Sequence, residues 1–458
     1  VAAPGFAETV RLIGRNQEVP SLQVAVYPGP FELHTDAELA ENTSKVVFPQ
    51  IVDTLTKPIK IEGTQTADAA DPRKIVNSGN IDEINVYFSL KKWSDGMPII
   101  PPTIGRVEEF LKFTDHAPDE AIATLPSANL RATPWNIAVN GVMAGCRPEY
   151  MPILIAAVQA LGDPSFSMAS HGGSTHSFTL FLCVNGPLAR QLGIDHGQGL
   201  IAHPVNRVIG RALGLIERNI AGFRIKETQM GSFGKTLSWA LAEDEEALIQ
   251  IGWEPFHVEK GFDRNSNTVS AGSSTIWGQN LIPSTSDAKT LMLMLAHEIS
   301  HKEIFASGSI RSARTELLTP TVAKLLADGG YSKKSLKEDL LKNARRVTYE
   351  WAFCKVNGSF GRVYPSFEEE LGKCLTEPEV EKGKLPVWYP RFPGWETIDT
   401  TPSIQADKLD ILVCGDPSRN KAQTMAGGKL VTKEIKLPSN WDTLMHKKSY
   451  RSLKSCNL

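Results

Sequence analysis

The chain has no C-x-x-C pair, no long basic run and no apolar stretch long enough to cross a bilayer. Each absence excludes a class. Six widely spaced cysteines in 458 residues argue against a disulfide scaffold or a self-contained zinc ribbon. They point to a reducing compartment, so a cytoplasmic location is expected. A formal net charge of −2 gives no reason to expect nucleic acid as a partner. Apolar runs such as Leu291–Ala296 are far too short for a membrane span, which leaves out a membrane as well. No internal repeat and no low-complexity tract is visible. Nor is there an initiating methionine: Val1-Ala-Ala-Pro suits a start within a longer gene product, or the residue after a removed segment.

What remains is an ordinary globular composition, 41% apolar and 22% charged, with length for two or three domains. The pattern is α/β. Phe6–Gly14 reads as a helix and Leu22–Tyr27 as a buried strand. Thr35-x-x-Glu38 is a capping box, and Val47, Ile51, Val52 and Leu55 form a helical stripe ending at Lys57-Pro58. Helix, strand and helix make the second half of a doubly wound unit, so residues 1–62 are expected to be an incomplete Rossmann-like half-domain. Polar, aperiodic residues 63–80 read as a linker. An α/β core is expected over 81–285 and a helical region with C-terminal strands over 286–458.

Within the core, Asn80 caps a helix reaching about Lys92, Met97–Ile100 reads as a short strand, and Ile104–Thr114 as a helix. Thr133-Pro134 opens another helix, Thr179–Val184 is an apolar strand, and Pro204–Asn219 is an amphipathic helix. The stretch 231–275 has no readable pattern. Beyond it, helices are expected from Ser286 to Phe305, from Thr319-Pro320 to Gly329, and over Ser335–Arg346. Lys373–Pro402 reads as irregular, and strands are expected at Leu409–Val413 and Lys429–Ile435.

The strongest chemical lead is Met143-Ala-Gly-Cys146-Arg147-Pro148, followed by the apolar helix Met151–Leu161. Pro148 suits a first helical position. Cys146 would then sit at the positive end of the helix dipole beside Arg147, where a thiolate is favoured. The competing reading is a small, inert cysteine at a helix junction. His171 and His176 flank Gly-Gly-Ser-Thr at the entrance to a buried strand, where α/β proteins place ligands. They are candidates for proton transfer or metal binding, or simply turn formers. Asp95, in Trp-Ser-Asp-Gly, is either an acid/base or a turn former. His297-Glu298-Ile-Ser-His301 has the spacing of a zinc-peptidase helix, with Glu298 as general base, although a third ligand is not obvious beyond Glu303 and Glu316. Cys414-Gly-Asp at a strand end is a second, weaker cysteine candidate.

Six segments, WSDGMPIIPPT, NGVMAGCRPEYMPILIAAVQA, VNGPLARQLGI, VIGRALGLIERNIAG, WALAEDEEA and WEPFHVEKGFD, together resemble the UGSC-type (seleno)protein family, named for a Sec/Cys-Gly-Ser-Cys motif. The resemblance covers roughly residues 90–270 and continues more faintly through AVYPGPFELHTDAEL and LTKP. It implies paired sulfur ligands or nucleophiles, suited to thiol–disulfide exchange or to holding a transition metal. The matching segments nominate Asp95, Cys146, Arg147, Asn185, Arg211, Asn219 and Glu245. The Cys-Gly-Ser-Cys motif itself is nowhere in the chain, and Thr228–Lys235 (TQMGSFGK) stands where the family has D-x-x-x-x-G-x-P-G.

The expectation is therefore a subunit of a soluble enzyme acting on a small molecule by redox or lyase/hydratase-type chemistry. Cys146 would be nucleophile or metal ligand, Arg147 an anion holder, and His171 or His176 the acid/base, with Asp95 assisting. Asn185, Arg211 and Asn219 are the expected cofactor-binding positions. The cofactor is unspecified, with a transition metal admitted. A companion polypeptide would supply the absent N-terminal half, giving a hetero-oligomer. The alternatives are a zinc hydrolase through His297, Glu298 and His301, or a non-catalytic scaffold subunit.

Overall fold

The computed structural model describes residues 1–16, 19, 21–57, 71, 73–126, 128–275, 280–301, 313–347 and 400–446. Helices and one mixed sheet make it an α/β fold. No described helix is long and apolar enough to cross a membrane.

The N-terminal segment holds α1 (Pro4–Asn16), α2 (Asp36–Asn42) and α3 (Phe48–Thr56). The Thr35/Glu38 capping box forms as expected. The expected strand over Leu22–Tyr27 does not. Val26 makes a single parallel bridge with Ala2, and on its other side the Gln50 amide takes the place of a strand, accepting from Val26 N–H at 2.9 Å and donating to its carbonyl at 3.0 Å. With the Val26 backbone groups met locally, the described residues of this segment form no sheet strand, and helices surround a small buried cluster of Ala25, Tyr27 and Val47 in place of the expected Rossmann-like pattern.

Next come α4 (Ile81–Leu90), capped by Asn80 and Glu83, α5 (Ile104–Leu111), the hairpin β1 (Ala123–Leu125) and β2 (Leu130–Ala132), and α6 (Pro134–Ala144), capped by Thr133. The expected strand at Met97–Ile100 is a strap instead. Pro98, Pro101 and Pro102 have no N–H to give a ladder, and Ile99 N–H and Ile100 N–H bind Asn85 Oδ1 and Met143 O. A 3-10 turn, Pro148–Tyr150, leads into α7 (Met151–Leu161), then α8 (Met168–Gly172).

The sheet is built from β3 (Thr179–Asn185), β4 (Trp239–Ala242), β5 (Thr268–Ser274), β6 (Ala313–Leu318), β9 (Leu409–Val413), β10 (Ala422–Gly427) and β11 (Val431–Glu434). A small hairpin, β7 (Arg345–Val347) with β8 (Thr400–Pro402), lies apart. Between the strands run α9 (Pro187–Leu192), α10 (Pro204–Asn219), α11 (Glu245–Gln250), α12 (Phe256–Glu259), α13 (Ala288–His301), α14 (Pro320–Asp328) and α15 (Lys333–Asn343).

Strand order is β4-β3-β5-β10-β6-β9, with β11 also paired to β5. It reads the same from either end. In each half a central strand (β3 or β6) runs into a helix opened by proline, takes a parallel neighbour outside (β4 or β9) and an antiparallel one inside (β5 or β10). This topological repeat has no visible counterpart in the sequence. The sheet also runs through the domain boundary expected at residue 285, since β5 pairs with both β10 and β11.

The two outer strands meet at their carboxyl ends, where Asp244 N–H donates to Val413 O at 2.7 Å and Gly415 N–H to His196 O at 2.7 Å. The curl encloses Phe181, Cys183, Trp239, Leu241, Leu412 and Met425. The alternate residues Leu180, Leu182 and Val184 face the helices of the main core with α6, α7 and α10. A third cluster buries α13, α14 and α15 against β6 and β9.

Candidate functional site

Helix α10 organises the first half of the chain. It lies close against β4 because residue 210 is glycine; a Cβ there would strike the Ser238 carbonyl. Its opposite side meets α6 and the strap Trp93–Thr103. Arg211 Nε and Nη2 grip Asp95 Oδ2 and Oδ1 at 2.8 and 2.9 Å, and Nη2 also reaches the carbonyls of Met97 and Pro98. Burial alone would raise the Asp95 pKa, but the hydrogen bonds and charge of Arg211 outweigh it and hold the carboxyl below its ordinary value. At the end of α10, Asn219 Nδ2 donates to Trp93 O at 2.9 Å and to Asn140 Oδ1 at 2.8 Å. Three nominated residues, Asp95, Arg211 and Asn219, are thus brought together. Their work is to fasten the strap to α10.

Beside that joint opens a cavity of about 1050 Å³. Phe88, Trp93, Trp135 and Ile220 give it apolar walls, and the Asn140 and Asn219 amides also line it. Two carbonyl-type acceptors fix the direction of the Asn219 amide, so its Oδ1 is left buried with no hydrogen-bond partner. Among the described lining residues the charged ones are Arg73, Lys74 and Arg106, and all are cations. The Arg73 guanidinium lies over the Trp135 ring, 5.1 Å from its centroid. Sequence reasoning missed Trp135, Asn140 and these cations, because nothing in their spacing separates them from ordinary core and surface residues.

Cys146 is close by but does not open into this cavity. Gly145 ends α6 with φ +88°, and the chain turns so that the Cys146 thiol donates to Val208 O at 3.2 Å, within the main core. Burial raises its pKa, and the distant help of Arg211 does not offset this. The expected helix-start thiolate is corrected to a neutral thiol: Arg147, the residue between sulfur and helix, turns away. Its Nε pairs with Glu149 at 3.0 Å, Nη2 donates to Leu192 O, and the guanidinium covers Tyr150. Cys183 and Cys414 lie inside the curled sheet, where burial raises both thiols.

The two histidines before β3 diverge. His171 Nδ1 meets Ser273 Oγ at 2.9 Å and its ring lies against Phe166 and Phe178; burial, then the charge of Lys235, pushes its pKa down to about 4. His176 is exposed at a second cavity, at the amino ends of β3 and β4. Asn185 lies at the far end of β3, donating to Glu243 Oε2 at 2.8 Å and to Glu245 Oε1 at 3.0 Å. Neither Cys146 nor Arg147 lines the cavity at His176.

On α13 the rings of His297 and His301 do share a face, but they stack at 4.1 Å between centroids. His301 Nδ1 is turned to Ser300 Oγ and to His297 O. Among the described residues no group of three His, Cys, Asp or Glu side chains is placed to hold a metal ion. Glu316 is inside the fold, accepting from Thr424, and Glu303 lies outside the described residues. The zinc expectation therefore has no assembled site there.

Comparison with protein-family models, with curated proteins and with solved structures finds no match to this chain.

Proposed function

We propose that the chain is the small-molecule-binding subunit of an enzyme and that the cavity beside Asn219 takes an amphipathic anion, an aromatic or acyl carboxylate. Its apolar walls suit the body of such a ligand. Arg73, Lys74 and Arg106 suit its charge, since a buried anion needs a countercharge. The single observation that carries the reading is that the charged residues of the described lining, Arg73, Lys74 and Arg106, are all cations beside apolar walls.

The described lining has no carboxylate, thiol or imidazole, so the reacting group comes from elsewhere. The resemblance to UGSC-type proteins supplies a candidate: a companion polypeptide bearing the Sec/Cys-Gly-Ser-Cys segment. Three of the segments that carry the resemblance (WSDGMPIIPPT, NGVMAGCRPEYMPILIAAVQA and VIGRALGLIERNIAG) contribute Trp93, Asn140 and Asn219 to this cavity. Phe48 and Leu55, left 60% and 80% exposed on α3, offer apolar surface for such a partner.

Tryptophan fluorescence from Trp93 and Trp135 tests the reading, with benzoate and octanoate as probes against benzamide and octanamide. The carboxylates should bind more tightly than the amides. Arg73→Gln should weaken carboxylate binding about tenfold, the loss of one charge-assisted hydrogen bond. Equal binding of amide and acid, or no change in the Arg73→Gln variant, sinks the proposal.

A further inference from the structure

The curled sheet has a second mouth, at the end away from Glu243. There the amino ends of β3 and β4 and the carboxyl end of β5 surround a cavity of about 530 Å³. Seven of its eleven described lining residues carry a hydroxyl: Thr175, Ser177, Thr179, Ser232, Thr236, Ser274 and Thr275. None is Asp, Glu, Lys or Arg. An ion entering this space would meet no carboxylate, ammonium or guanidinium among these residues, only the His176 imidazole, and burying a poorly paired ion is costly. A hydroxyl wall, by contrast, both donates and accepts, so it matches a ligand whose own groups do the same.

Two aromatic side chains complete the site. Trp239 lines the cavity, its ring stacked on Phe181 at 4.5 Å between centroids and 8° between planes. Phe233 stands fully exposed at the rim, 103% accessible, on the turn Gly231–Gly234. That turn is held in place: Ser232 N–H donates to Thr175 O at 3.0 Å, and a Cβ on Gly231 would come within 2.7 Å of Ser177 Oγ. Ser177 itself has φ +63°, a strained conformation for serine. Thr179 and Thr236 join across the cavity wall through their hydroxyls at 3.1 Å. A bulky aromatic exposed on a rigid turn beside a hydroxyl-lined cavity is placed to cover the apolar face of a ring.

We propose that this mouth binds a neutral polyhydroxylated ring, a monosaccharide or cyclitol, with the hydroxyl wall meeting its OH groups and Phe233 covering its C–H face. The site is separate from the Asn219 cavity and needs none of its residues.

Saturation-transfer NMR and calorimetry with D-glucose, D-ribose and myo-inositol, each at millimolar concentration, test this, with inorganic phosphate as the anion arm. At least one polyol should bind. Phe233→Ala and Thr236→Val should each weaken it about fivefold, the value of one hydrogen bond or ring contact, with melting curves unchanged. Arg73→Gln should leave polyol binding intact, which keeps this outcome distinct from that of the carboxylate test. Binding of phosphate alone, binding of none of the three polyols, or polyol binding indifferent to both mouth variants overturns the proposal.

Discussion

Arg211 holds both carboxylate oxygens of Asp95, at 2.8 and 2.9 Å, and so ties α10 to the strap that walls the larger cavity. Each side chain of the pair is only 17% exposed, so water does little to replace what one partner loses. Asp95→Asn should destabilise the fold by about 2 kcal/mol, the range for hydrogen bonds to a charged group. The difference should depend on pH in a definite direction. The folded-state pKa of Asp95 is depressed, so its contribution is complete above the ordinary aspartate range and is lost as pH falls through the lower, folded value. Urea unfolding of both proteins at pH 7 and at pH 3 measures this. A gap between wild type and variant that is as wide at pH 3 as at pH 7 would show that the ion pair is not its source.

Cys146 should behave as a structural thiol. Because burial raises its pKa and its hydrogen is engaged by Val208 O, alkylation with iodoacetamide in the native state should leave it unmodified, along with Cys183 and Cys414. Peptide mapping after unfolding should then label all three. Cys146→Ser should cost about 1 kcal/mol and leave carboxylate binding unchanged, since the serine hydroxyl can still donate to the same carbonyl. Rapid native labelling of Cys146 would restore the thiolate reading.

Local signals in the sequence were legible where the physics is local. The caps at Thr35, Asn80 and Thr133 form as their spacing indicates, and α10 spans the expected Pro204–Asn219. β3 and β9 match the expected apolar runs. The illegible parts are those decided by tertiary closure. β5 (TVSAGSS) and β10 (AQTMAG) carry small and polar residues that do not look like buried strands. Yet Gly272 is where Phe181 and Leu430 press in, and Ser270 finds Thr432 at 2.9 Å. The same holds for the site. Cys146 has the neighbours of a reactive cysteine along the chain, but Gly145 turns the sulfur inward, and a spacing argument cannot see that turn.

His171 makes the acid limb of stability testable. Burial and Lys235 push its pKa down to about 4, so the folded state holds it neutral while the unfolded chain gains a proton near the ordinary histidine value. Stability from this group is therefore complete above about pH 6.5 and falls as pH drops toward 4, with a slope approaching 1.4 kcal/mol per pH unit. His171→Gln, which keeps a polar group for Ser273, should flatten that slope between pH 6 and about 4.5. Parallel wild-type and variant curves across that interval would remove His171 as the cause.

Glu243 is the group on which closure of the sheet turns. Its side chain is fully buried, and it gathers donors from four separate elements. Oε2 accepts from Asn185 Nδ2 at 2.8 Å and from Phe256 N–H at 2.7 Å; Oε1 accepts from Lys333 Nζ at 3.2 Å and from Val413 N–H at 3.3 Å. Two of these donors lie on β3 and α12, one on α15, and one on β9, the far edge of the sheet. Glu243→Gln keeps the volume but turns an NH2 group toward two of the four donors whichever way the amide lies. Lys333 keeps Glu259 at 2.9 Å, but loses half of its buried countercharge. The variant should lose about 3–5 kcal/mol, as removal of one partner from a buried pair does. Lys333→Met should be costly for the reciprocal reason, since it leaves the carboxylate short of charge. The two losses should not add. In Glu243→Gln/Lys333→Met the neutral amide no longer faces a buried ammonium, and the double variant should be more stable than the sum of singles by about 1 kcal/mol or more. Urea unfolding of the four proteins closes this cycle. Additive losses, or a Glu243→Gln variant as stable as wild type, would show that backbone pairing alone brings β4 and β9 together.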